Sequence, residues 1–136
     1  MRRTEMFEML SRLLQFKIIK DTQGNEYVLF AENKLPEIID GIGDRTAFEA
    51  VENHIHILKD IKKKEFDKLS SSAKVVGEVV FNKLQLTYPD KKFVVYVSLK
   101  LGDSMIVRFH QIWDGEEPYY DVTSFNSNRQ KMYCIY

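Results

Sequence analysis

The sequence predicts an α+β domain, in which an antiparallel sheet carries one long helix on one face and is joined by a short N-terminal helix. Two β-hairpin patterns and one long amphipathic stretch support this class. Consecutive hairpins favour antiparallel pairing, and an amphipathic helix must bury its apolar stripe on a neighbouring element. We expect about five to six strands, from the two hairpins plus single strands, in one domain spanning 1–136.

Both helices are predicted from apolar residues that recur every three or four positions. Residues 4–14 carry such a stripe in Met6, Leu10 and Leu13. Residues 64–88 carry a longer one, and Pro89 ends it because proline cannot continue a helix. The longer stripe consists of Phe66, Leu69, Ala73, Val76, Val80, Leu84 and Tyr88.

The two hairpins are predicted from paired strand-like runs around turn residues. The first joins 16–20 to 26–30, and the second joins 93–99 to 105–113. In the second, pairing odd-numbered with odd-numbered residues makes one face wholly apolar, whereas a one-residue slip would put Arg108 among the valines. The opposite face then carries Tyr96, Ser98, Lys100, Arg108 and His110.

The remaining stretches give shorter elements. Pro36 and the glycines of 40–44 indicate a loop over 33–46, and residues 46–50 suit a helical turn capped by Asp44 or Thr46. Alternating isoleucine and histidine predict a strand over 51–58. A polar loop over 123–129 precedes a closing strand over 132–136.

Composition argues against several classes of protein. Lys plus Arg is 20 and Asp plus Glu is 20, so the chain lacks the basic excess typical of nucleic-acid binders. Acidic residues interrupt the lysines of 59–68, and no aromatic platform accompanies them, so nucleic acid is not an expected partner. No apolar run is long enough to span a membrane. The single cysteine, Cys134, suits a reducing compartment, and we expect the cytoplasm.

A histidine cluster gives one function hypothesis. Glu52, His54 and His56 alternate on the predicted strand and should share one face, with His110 as a third imidazole. Such groups could bind zinc or act as acid and base in a small hydrolase or nuclease-like enzyme. No recognised motif accompanies them, so a solvated polar strand face is favoured, and we expect neither a metal site nor a cofactor.

Residues 113–121, here called the acidic-aromatic segment, give the favoured hypothesis. Aromatic residues are enriched at binding hot spots, and carboxylates beside them suit a basic protein partner. The alternative is that the aromatic residues cap the core edge while the acids face water. The hypothesis is a non-enzymatic protein-binding domain, whose predicted contact residues are Trp113, Asp114, Glu116, Glu117, Tyr119, Tyr120 and Asp121, with Tyr96 and Arg108.

In size and organisation the chain is similar to small bacterial proteins that act only by binding, such as the immunity proteins that neutralise a toxin. The resemblance implies a protein partner and no catalysis. It is a resemblance of size and organisation, in a chain whose predicted elements are helix, hairpin, strand, long helix, hairpin and terminal strand, and no diagnostic motif accompanies it.

Overall fold

Three helices and seven strands make up the structure, a computed structural model that describes residues 2–121 and 126–136. The helices are α1 (Arg3–Leu13), α2 (Arg45–Glu52) and α3 (Lys63–Thr87). The strands are β1 (Phe16–Asp21), β2 (Glu26–Phe30), β3 (Ile38–Ile39), β4 (His54–Ile57), β5 (Phe93–Lys100), β6 (Met105–Gln111) and β7 (Gln130–Ile135). The predicted loop over 123–129 lies partly outside the described residues.

The strands form two sheets, which confirms the predicted α+β class but divides the sheet that we expected. The small sheet has the order β2-β1-β3, and its short β3 runs parallel to β1. The large sheet has the order β4-β6-β5-β7, and all its neighbours are antiparallel. Both predicted hairpins form, one in each sheet.

The second hairpin adopts the predicted register, since Val97 pairs with Val107 and Val95 with Phe109. The apolar face of the large sheet packs against α3, and this main core also includes Val28 and Phe30 of β2. The ring of Phe109 meets that of Phe30 edge-on at a centroid distance of 4.8 Å, so aromatic packing joins the two sheets.

Helix α3 covers the large sheet as predicted, with Ala73, Val80 and Leu84 buried and Leu69 and Val76 packed beside them. Gly77 brings the helix unusually near the sheet, because a Cβ atom there would lie 2.4 Å from Ile135 Cδ1. None of the helices within residues 2–121 and 126–136 has the length and apolar character needed to cross a bilayer.

The strand predicted over 51–58 is shorter than expected, because α2 continues through Glu52. Asp44 caps this helix by accepting a hydrogen bond from the Ala47 amide at 2.9 Å. The predicted helical turn is therefore the start of a two-turn helix, and only His54–Ile57 pair as a strand.

Replacing Val80 with aspartate should unfold a large fraction of the protein. Val80 is 1% exposed in the main core, and an unpaired charge there costs several kcal/mol, roughly 3 or more. The neighbouring Val79 is 45% exposed, so Val79→Asp is the matched control and should change stability by only about 0.5 kcal/mol. Urea denaturation checks both, and equal midpoints for the two variants would contradict the placement of α3.

Candidate functional site

The two sheets meet at strand β2, where side chains of α2 and its C-terminal cap satisfy the outer backbone groups of the strand. The Val28 amide donates to Glu49 Oε2 at 2.9 Å, and Asn53 Nδ2 donates to the Val28 carbonyl at 2.8 Å. The Phe30 amide donates to Asn53 Oδ1 at 3.0 Å. Two buried side chains thus take the place of a neighbouring strand, and the missing ladder bonds are replaced.

Glu49 is the centre of this contact and accepts four N–H hydrogen bonds. Besides Val28, its donors are the Gln111 amide at 2.8 Å, Gln111 Nε2 at 2.7 Å and Trp113 Nε1 at 2.7 Å. Burial raises the pKa of Glu49 to about 7, although the same hydrogen bonds favour the ionised form. The carboxyl group therefore joins α2 to β2, to β6 and to the start of the acidic-aromatic segment.

Trp113 is held inward at the beginning of this segment. Its ring lies 5.3 Å from that of Tyr27 between centroids, and it packs on a second apolar cluster that includes Phe48. The guanidinium carbon of Arg45 lies 4.6 Å from the Trp113 ring centroid. Trp113 is partly buried, and these contacts give it an anchoring role within the fold.

Glu116, one of the predicted contact residues, is bound within the fold and only partly exposed. Its Oε2 accepts from Arg45 Nε at 2.8 Å, and its Oε1 accepts from the Thr46 amide and hydroxyl, each at 2.7 Å. Burial raises the pKa of Glu116, but the bonds from Thr46 and Arg45 outweigh it and bring the value to about 2. The reason is local: the first turn of α2 has free amides, which a carboxylate satisfies well.

The far end of the segment covers part of the face of the large sheet on which the predicted register places Tyr96, Arg108 and His110. Tyr96 and His110 on this face are each only 1% exposed. The Tyr96 hydroxyl lies 3.0 Å from His110 Nε2, and the Tyr119 amide donates to the same nitrogen at 3.3 Å. His110 Nδ1 lies 2.7 Å from the Gln111 carbonyl, to which it donates. Burial lowers the pKa of His110, so the ring is neutral near pH 7.

Four of the predicted contact residues therefore come together on this face. Tyr119 and Tyr120 are partly buried against Tyr96, and the Arg108 guanidinium lies 5.7 and 5.6 Å from their respective ring centroids. Arg108 also donates to the Ala50 carbonyl. The outer side of the segment presents three exposed acids, which are Asp114, Glu117 and Asp121.

A cavity of about 370 Å³ lies beside the segment. Its walls are mainly apolar and aromatic, and include Val94, Ile112, Trp113, Pro118, Tyr120 and Cys134. The buried pair Tyr96 and His110 also lines it. The charged groups among the described lining residues are all carboxylates: Glu116, Glu117 and Asp121.

The histidine cluster does not assemble around one point. His54 and His56 share a face as predicted, with ring centroids 5.6 Å apart, but they line different depressions. His110 instead lines the cavity beside the acidic-aromatic segment, and Glu52 lies at the end of α2 beside His54. Within the part of the chain that the structure describes, no three His, Cys, Asp or Glu side chains are arranged to hold a metal ion.

The residues that fasten the site were not predicted from the sequence. Glu49, Asn53, Gln111 and Arg45 were not singled out, although they carry most of its hydrogen bonds. One signal was present in the sequence. Thr46, Glu49, Ala50 and Asn53 follow a helical spacing, so a carboxylate and an amide share the inner face of α2 with alanine.

Comparison with known proteins gives a family. The model described as "Uncharacterized protein PM0498 family" matches residues 3–135. The chain belongs to this family. The match runs from the start of α1 to the last residue of β7, so it covers both sheets and the acidic-aromatic segment together. No curated protein and no solved structure matches the chain.

Glu49→Gln should weaken the connection between the sheets. The side-chain NH2 of the introduced glutamine would replace a carboxylate oxygen that accepts two N–H hydrogen bonds in the wild type. Two donors would then face a donor, which should lower the free energy of unfolding by about 2–4 kcal/mol. Urea denaturation followed by fluorescence measures this, because Trp113 is the only tryptophan. Glu52→Gln, on the same helix, is the control and should cost about 0.5 kcal/mol or less. A Glu49 variant as stable as the control would contradict the role of this carboxylate.

Glu116 should make the protein sensitive to acid. Its folded pKa of about 2 lies below the ordinary 4.5, so its stabilisation is present above pH 4.5 and is lost as the pH falls towards 2. Glu116→Gln should therefore be less stable than wild type by about 1–3 kcal/mol near pH 6. The difference should shrink towards zero near pH 2. Denaturation at a series of pH values tests this, and a constant difference would refute the ionised Glu116–Arg45 contact.

Proposed function

We propose that this protein is a non-enzymatic protein-binding domain, and that its working surface is the outer side of the acidic-aromatic segment with the adjoining cavity. One observation carries the proposal. The segment is fastened to the fold through Trp113, Glu116 and Tyr119, while Asp114, Glu117 and Asp121 face outward beside apolar walls.

The fastening supports binding because it reduces the entropy that association must overcome. A loop held at its beginning, middle and end loses little freedom when a partner docks on it. Pro118 further restricts the backbone between the second and third attachment points. Exposed loops held by a rigid scaffold are common sites of recognition.

The charge distribution supports a partner of basic character. The chain carries a formal net charge of +0, yet the outer side of this segment concentrates carboxylates. Such a local field steers oppositely charged partners and raises the association rate, particularly at low salt. The apolar walls next to these acids add to the binding free energy, because burying apolar surface under a partner is favourable.

This mode of action is that of an immunity protein, which neutralises a toxin by occupying part of its surface. We use that analogy as the working model for the partner. The proposed setting is the cytoplasm, which fits a chain with a single cysteine that forms no internal disulfide.

The alternative hypothesis of a hydrolase or nuclease-like enzyme has weaker support. A catalytic pair must come within hydrogen-bond reach of a common substrate atom. His54, His56 and His110 line three different depressions, and the buried His110 already accepts from Tyr119 and bonds to Tyr96.

Affinity capture with a charge-reversed variant tests the proposal. Tagged wild type, Glu117→Lys and Glu78→Lys are used to capture proteins from cells of the species that encodes the chain. Glu78 is an exposed acid on α3, on the other side of the large sheet, and serves as the matched control. We expect a basic protein that is retained by wild type and by the control but is reduced at least tenfold with Glu117→Lys, which corresponds to about 1.4 kcal/mol.

Two results would count against this function. Equal retention by all three proteins would place the interface elsewhere on the molecule. Failure of wild type to retain any protein selectively, at low as well as physiological salt, would remove the support for a protein-binding role. Thermal melts of the variants provide the folding control, since both substitutions are at exposed positions.

A further inference from the structure

We propose that the cavity beside the acidic-aromatic segment receives an arginine side chain, with Glu117 as the carboxylate that pairs with its guanidinium. This inference rests on the proposed protein-binding function and names the group that the partner inserts.

The charge of the cavity selects a cation. Three carboxylates are found among its described lining residues, and no lysine or arginine is. Glu116 is already paired with Arg45 at 2.8 Å, so it contributes little further attraction. Glu117 is exposed in the same lining, and the neutral His110 adds no opposing charge. A guanidinium entering here meets a negative potential, and its paired hydrogen bonds to a carboxylate are stronger than those between neutral groups.

The walls favour arginine over lysine. An arginine side chain has an apolar stem and a planar, weakly hydrated head that stacks on aromatic rings, whereas an ammonium is compact and strongly hydrated. The cavity supplies matching surfaces, since Ile112 and Pro118 can contact the stem and Tyr120 and Tyr136 are aromatic. Two aromatic rings of the same segment already contact arginine within the fold, since Arg45 lies over Trp113 and Arg108 lies over Tyr120.

The rim of the cavity is open and apolar. Ile112 is 50% exposed and Tyr136 is 83% exposed, and both line the cavity. Large apolar side chains at the mouth of an acidic cavity give a docking partner area to bury around the inserted cation. The residues that support the inner wall, Tyr96 and His110, are buried and hydrogen-bonded to each other, so the wall is preformed.

The test is a titration of the ¹⁵N-labelled protein with small probes, followed by NMR and by Trp113 fluorescence. The probes are N-acetyl-arginine amide, its neutral counterpart N-acetyl-citrulline amide, N-acetyl-lysine amide and N-acetyl-leucine amide. Each is added to wild type, Glu117→Gln and Asp114→Asn. Asp114 is an exposed acid of the same segment that does not line the cavity, so its variant is the matched control.

We expect saturable shifts at Trp113, Tyr120 and Cys134 with the arginine probe, in the millimolar range. The apparent dissociation constant should rise at least fivefold with Glu117→Gln and stay within twofold with Asp114→Asn. Citrulline, lysine and leucine probes should each bind at least threefold more weakly than arginine. If the citrulline or leucine probe bound as tightly as the arginine probe, the proposed ion pair would be overturned. If the lysine probe bound as tightly as the arginine probe, the choice of a guanidinium would be overturned.

Absence of saturable shifts with the arginine probe would overturn the proposal as well. A second measurement guards against a weak signal, because Cys134 is the only cysteine and lines the cavity. Relative to the rates of the same two reagents with a free thiol, aminoethyl methanethiosulfonate should react faster with Cys134 than the anionic sulfonatoethyl reagent does, and the arginine probe should slow its reaction. A rate ratio equal to that of the free thiol would contradict the acidic cavity. These results are independent of affinity capture, so a partner retained through Glu117 without arginine selectivity would leave the protein-binding function in place.

Discussion

The buried carboxyl group of Glu49 is the interaction on which the rest of the structure depends. Removing a carboxylate from water is costly, and here four N–H donors from three parts of the chain offset that cost. Because the donors belong to β2, to the end of β6 and to Trp113, the two sheets and the acidic-aromatic segment share one acceptor. Asn53 completes the contact by serving both a carbonyl and an amide of β2.

The segment inherits its position from this arrangement. The indole N–H of Trp113 donates to Glu49, and Glu116 accepts from the Thr46 amide in the first turn of α2. The Tyr119 amide donates to His110, on the face of the large sheet opposite α3. Each attachment uses a polar group of the segment and leaves the intervening side chains outward. Contacts with the core hold this surface in place, and local backbone preferences contribute less. The acids and aromatic residues therefore keep their positions beside the cavity and do not fill it.

The sequence was sufficient for α1, α3, both hairpins and the register, but not for β3, which lies in the predicted loop over 33–46, nor for the full length of α2, nor for the contacts between elements. Period and turn residues predicted α3 and both hairpins, and the alternation of valines predicted how Val97 meets Val107. The division into two sheets was not predicted, because it depends on side-chain hydrogen bonds that a hydropathy pattern does not register. For the same reason the pairing of Glu116 with Arg45, far away in the chain, was not predicted.

Gly77 has a consequence for how the chain folds. Glycine in the middle of a 25-residue helix costs about 1 kcal/mol relative to alanine, so α3 has a weak point where Gly77 packs against Ile135. The helix recovers that loss only when the closing strand is in place beneath it. Helix and sheet should therefore gain stability in one cooperative step, with the middle of α3 and the last strand of the chain exchanging their amide hydrogens at similar rates.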